Sequence, residues 1–168
     1  PYTNFVLGPP PNRIMFDGFE NAAPGEYLTN SAVSGWVVTG GKVLIHGTND
    51  PLGIRAFAGT NFVELDTRRN PGAIMTTFNT APGTDYQLSF AVRRNPLSLS
   101  GSAHALQVYY GPPLDFRPPV LFMGVPVFGW LTTNIIFRAI SPLTSLELSA
   151  LTSASSPSAI IRSTRCSI

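Results

Sequence analysis

The chain has 168 residues, 43% of them hydrophobic, which suits one globular domain with a continuous core and excludes gross disorder. Only 12% are charged, and the net charge of +2 is almost wholly arginine, with Lys42 the single lysine. Without a lysine-rich tail or basic helix, neither nucleic acid nor a polybasic contact with a membrane surface is expected. The most apolar run, Pro119 to Leu131, is too short and too broken by Pro and Gly for membrane insertion. A lone Cys166 excludes an internal disulfide and a thiolate metal cluster, and reads as a buried small hydrophobe.

Taken in order, Pro1 to Asn12 contains Gly8-Pro9-Pro10-Pro11 and reads as an extended, partly polyproline arm (1–12) ahead of the folded body (13–168). Its apolar Tyr2, Phe5, Val6 and Leu7 either pack on their own domain or dock on a neighbouring copy. A start at Pro1, without Met, suits a processed secreted chain. Strand signals follow at Gly35 to Thr39 and Lys42 to His46, joined by Gly40-Gly41 as an expected hairpin. Asn61 to Asp66 alternates, with Phe62, Glu64 and Asp66 on one face and Val63 and Leu65 on the other. Gly72 to Asn79 is a further strand, then a turn at Ala81 to Thr84. Tyr86 to Arg93 alternates again and sends Tyr86, Leu88, Phe90 and Val92 inward. Runs at His104 to Tyr110, Val120 to Met123, Trp130 to Ile140, Leu143 to Leu151 and Ala159 to Ile168 complete about ten strands, enough for two packed antiparallel sheets.

Several of these pieces share an order. Gly18-Phe19-Glu20, Ser34 to Gly40, Gly59 to Asp66, Gly72 to Phe78 and Ala81 to Phe90, ending at Asn95-Pro96, resemble the DUF642 and choice-of-anchor families. Gly129-Trp130 and Cys166-Ser167-Ile168 resemble two of their later strands. The resemblance implies an all-β, galactose-binding-like jelly-roll sandwich in an extracellular, cell-wall or cell-surface setting. It also implies a structural calcium site using Glu20 and an acidic pair before the last strand. Here Thr164-Arg165 stands at that pair, with Arg162 upstream, and cations oppose calcium. Glu20 is then expected to pair with Arg162 or Arg165, and no cofactor is expected.

No Gly-x-Ser-x-Gly elbow, phosphate loop or His-Glu-x-x-His occurs, so the chain is expected not to be an enzyme. Catalysis would need a cleft bringing His46 or His104 against Glu64 or Asp66. The simpler reading of those two acids is an outward polar face paired with Arg68, Arg69 or Arg93. Binding a polysaccharide needs an exposed aromatic ring beside hydrogen-bonding groups. Tyr109 and Tyr110 supply rings, of which alternation exposes one, and Arg93, Arg94, Asn95 and Gln107 supply polar partners. Tyr27 and Phe116 are further aromatic candidates. Trp36, in an apolar run, reads as a core anchor. Gly111 to Val127 holds five prolines among apolar residues that include Phe116, Leu121 and Phe122. With the arm, that segment supports the alternative of a structural subunit that assembles with copies of itself into a filament or surface layer.

Overall fold

The computed structural model describes residues 13–48, 50, 53–65, 71–94, 104–113, 121–124, 129–152 and 159–167, with the backbone alone for 13–17, 104–105, 121–124, 151–152 and 159–167. The arm and residues 66–70, 95–103 and 114–120 lie outside this description.

The described chain is all strand and turn. In order come β1 (Arg13–Asp17), β2 (Gly25–Leu28), β3 (Ala32–Val33), β4 (Trp36–Gly40), β5 (Lys42–His46) and β6 (Phe62–Glu64). Next are β7 (Ala73–Asn79), β8 (Asp85–Arg94), β9 (His104–Gly111), β10 (Leu121–Gly124), β11 (Leu131–Arg138), β12 (Leu143–Thr152) and β13 (Ala159–Ser167). They form two sheets. The first runs β11-β8-β13-β6-β5-β2, with β1 beside β13, and the second runs β10-β9-β12-β7-β4-β3. Each sheet is antiparallel, and the two pack as a jelly-roll β-sandwich.

Alternation builds the core. In β8, Tyr86, Leu88, Phe90 and Val92 are each at most 3% exposed, while Asp85, just before them, and Gln87, between Tyr86 and Leu88, face solvent. Trp36, Val38, Ile74, Leu146 and Leu148 of the second sheet meet Val43, Ile45 and Val63 of the first in one cluster. Burying such side chains contributes roughly 1.5–3 kcal/mol each, and this holds the sheets face to face.

The expected hairpin at Gly40-Gly41 is corrected. β4 pairs with β3 and β7, and β5 pairs with β2 and β6, so the chain crosses from one sheet to the other here. Gly41 takes φ 52°, which allows the sharp turn, and a bulge between Val38 and Gly40 ends the pairing of β4. Two glycines serve a crossover as readily as a hairpin, and inward Val38 and Val43 satisfy alternation either way.

Gly72 has a different constraint. Its N–H donates to Leu65 O, and a Cβ at this position would collide with the carbonyl oxygens of Leu65 and Lys42. Gly72→Ala is therefore expected to lower stability by roughly 1–3 kcal/mol, seen as a lower urea midpoint at an unchanged slope.

Candidate functional site

The outer face of the second sheet carries the polar, partly exposed rows that a ligand can reach. On β12 alternation turns Leu146 and Leu148 inward and leaves Ser145, Glu147 and Ser149 half-buried on the outside. On β9 the inward residues are Leu106 and Val108, so Gln107 and Tyr109 share that outer face. Register then lines up one row across four strands: Val37 opposite Met75, Met75 opposite Glu147, and Glu147 opposite Tyr109.

Hydrogen bonds order this face. Tyr109 donates its hydroxyl to Gln107 Oε1 at 3.1 Å, and Thr39 donates to Glu147 Oε2 at 3.2 Å. One row away, the Thr77 and Ser145 hydroxyls meet at 3.1 Å. Burial, with the negative charge of Glu147 adding to it, raises the Tyr109 pKa and keeps the phenol neutral. The face therefore presents one aromatic ring, a carboxylate, an amide and several hydroxyls, which can stack on a sugar ring and exchange hydrogen bonds with its hydroxyls.

The other expected ligand residues are dispersed. Tyr110 faces the opposite way from Tyr109, its ring 4.6 Å from Phe137 at the edge of the core. There it lines a cavity of about 40 Å³ with Pro112, Phe137 and Thr144, room for a few waters and too small for a sugar ring. Arg93 and Arg94 lie on β8 in the first sheet, away from Tyr109. Arg93 sits 5.7 Å over the Trp130 ring, and burial lowers its pKa against the opposing pull of Asp50. Tyr27 is partly buried against the core and donates to Ala23 O at 2.8 Å. Asn95, Phe116, Tyr2, Phe5, Val6 and Leu7 lie outside the described residues, and Leu121 and Phe122 are described by backbone alone. Glu147 was legible but missed: it is the lone charge in an alternating strand of Leu, Ser and Thr.

Glu64 is the second correction. It is buried rather than exposed on an outward face, and Glu64 Oε2 lies 2.9 Å from His46 Nε2; Arg68 and Arg69 lie outside the described residues. The other ring nitrogen, His46 Nδ1, lies 2.7 Å from Asp50 Oδ1, and Asp50 Oδ2 accepts from Ile54 N at 2.9 Å. The imidazole stacks on Phe62 at 4.7 Å, and Trp130 meets Phe62 edge-on. Burial acts to lower the His46 pKa, but the hydrogen bonds and charges of Glu64 and Asp50 outweigh it and raise the pKa above 6.5. Histidine thus does meet glutamate, yet not in a cleft. The His46, Glu64 and Asp50 side chains are at most 7% exposed, and both ring nitrogens are engaged. The trio is a latch that holds the segment after β5 over the outer face of the first sheet.

Glu20 anchors the same segment from its far end. Its carboxylate accepts from the Thr60 hydroxyl, from Thr60 N at 3.0 Å and from Asn61 N at 3.1 Å. Asn61 Nδ2 donates in return to Phe19 O at 2.9 Å and Ala22 O at 3.0 Å. Glu20 is thus met by N–H and O–H donors, while the carbonyls of Phe19 and Ala22 accept from Asn61. The side chains of Arg162 and Arg165 lie outside the description. Among the described residues no group of three or more His, Cys, Asp and Glu is placed to hold a metal.

No family model and no curated protein matches the sequence. Solved structures match the fold. The CBM22-1 xylan-binding domain of Xyn10C from Paenibacillus barcinonensis superposes with a TM-score of 0.57 at 14% identity, covering 94% of each chain. A family 61 module in complex with β-1,4-galactotriose gives 0.54 at 18% identity, over 89% of this chain and 92% of that one. A family 35 carbohydrate-binding module from Clostridium thermocellum gives 0.52 at 12% identity, over 86% and 98%. At these identities the likeness establishes the jelly-roll β-sandwich fold.

The latch makes stability depend on pH. Because folding raises the His46 pKa, its contribution is complete below 6.5 and is lost as pH climbs through the raised value. His46→Ala removes the ring that bridges the two buried carboxylates and is expected to cost about 3–5 kcal/mol. In urea unfolding, the gap between wild type and this variant is expected to be widest below 6.5 and to narrow as pH rises through the raised value.

Proposed function

We propose that the protein is a non-catalytic carbohydrate-binding module that meets a polysaccharide through the outer face of its second sheet, in an extracellular, wall- or surface-associated setting. The observation that carries this reading is the row Val37, Met75, Glu147 and Tyr109, flanked by Gln107, Thr39, Thr77 and Ser145. A neutral phenol half-sunk in a sheet is held flat and loses little entropy when a sugar ring stacks on it. Glu147 and Gln107 then accept from, and the hydroxyls exchange with, the sugar's own hydroxyl groups. Charge supplies little of the recognition, in keeping with a neutral glycan.

Two independent lines support the reading. Three modules of this fold carry carbohydrate binding in their descriptions, xylan for one and β-1,4-galactotriose for another. The ordered motifs from Gly18 to Pro96 also resemble families of cell walls and surfaces. The buried His46 trio supports the non-catalytic part, since its ring nitrogens are both committed to carboxylates.

Affinity electrophoresis through gels containing soluble xylan, galactan or related polysaccharides tests the proposal. At least one gel is expected to retard the wild type. Tyr109→Ala is expected to weaken that retardation about tenfold, the equivalent of about 1.4 kcal/mol. Glu147→Gln is expected to weaken it less, and Arg93→Ala to leave it unchanged. Free migration in every gel, or full retention by Tyr109→Ala, would count against the proposed face.

A further inference from the structure

The ends of the two sheets are not alike. β1, β2, β3 and β10 are two to five residues long, and β1 carries a register shift between Arg13 and Met15. Short or bulged edges are the usual protection against stray pairing. β11 has none of it. It runs eight residues, Leu131–Arg138, in unbroken register with β8, and among the described residues it pairs with nothing else. It holds no Pro and no Lys, and its only charge is Arg138 at the end, which faces Asp85 at 3.9 Å.

β11 also carries two exposed large hydrophobic side chains, Leu131 at 41% and Ile136 at 73%. An edge whose backbone N–H and C=O groups meet no strand among the described residues selects another β-strand as its occupant, because only a strand satisfies the whole row. β11 itself has the composition of such a partner, rich in Thr and Ile and free of opposing charge.

We infer that β11 joins two copies of the chain edge to edge, antiparallel about a two-fold axis, so that the first sheet continues across the pair. Residues directly opposite in an antiparallel ladder share a face, so the two-fold must centre on a residue rather than between two. Centring on Asn134 sets Thr132 opposite Ile136 of the second copy and Thr133 opposite Ile135. It leaves both Arg138 side chains outside the paired run. Each Ile136 is then covered by a β-branched neighbour, and like charges do not meet. The pairing uses neither Tyr109 nor Glu147, so it stands apart from the glycan face.

Light scattering coupled to size-exclusion chromatography on the full chain tests this. The 18.0 kDa mass is expected to double as concentration rises from about 1 μM to about 1 mM. Ile136→Lys and, as a second variant, Thr132→Lys are each expected to keep the monomer mass with an unchanged circular dichroism spectrum, because a charge is forced into the ladder. Leu28→Lys, on exposed β2, is expected to keep the doubling. Hydrogen exchange is expected to slow at residues 131–138 of the wild type at the higher concentration. A wild type that stays monomeric throughout overturns the inference. So does doubling that survives in a folded Ile136→Lys or Thr132→Lys, doubling lost in Leu28→Lys, or exchange at β11 that ignores concentration.

Discussion

The imidazolium of His46, held between Asp50 and Glu64, is the interaction on which the arrangement of the surfaces depends. A buried charge pair is weak as a source of stability but strict about geometry, because removing one partner leaves the others uncompensated. Here the strictness is spent on a long connection. Asp50 reaches Ile54 N while Glu20 receives Thr60 and Asn61, so the chain between β5 and β6 is pinned at both ends. The small cluster of Ile54, Phe62, Ala56 and Trp130 forms beneath it.

That covering decides which face is available. Over β5 and β6 the first sheet is closed by the pinned segment, and Phe62 and Glu64 are buried on what would otherwise be its solvent side. The second sheet keeps its outer rows of Tyr109, Glu147, Met75 and Val37 partly open. A jelly roll offers two large faces in principle. In this chain a carboxylate–imidazole–carboxylate bridge covers part of the first sheet, while the β9-β12-β7-β4 face keeps an aromatic ring and hydrogen-bonding groups in register.

The remaining part of the first sheet has a different character. β8 and β11 pair over eight residues, with Ser89 donating to Asn134 Oδ1 at 2.6 Å and Asp85 near Arg138. Polar rows on the outside of β8 are ordinary solvent surface, whereas the edge of β11, unpaired among the described residues, is not. The proposed glycan face on one sheet and the inferred strand-pairing edge on the other are compatible, since neither uses the other's residues. Pairing would also place two glycan faces on one particle, which raises avidity toward a repeating polymer.

Some of this was legible in one dimension. Alternation in Tyr86 to Val92 determined the inward face of β8, the turn residues determined that the chain is strand-built, and Tyr109 with Gln107 could be paired from spacing alone. Spacing also implies that Tyr109 and Tyr110 point to opposite sides, because side chains alternate at every residue of a strand. What only the tertiary structure decided is every contact that depends on which sheet a strand joins. Gly40-Gly41 turns the chain between sheets, Arg93 sits far from Tyr109, and Glu64 meets a histidine eighteen residues away. A period of two fixes the face of a residue but is blind to the strand's neighbours, and those neighbours are set by how the two sheets divide the chain around one core.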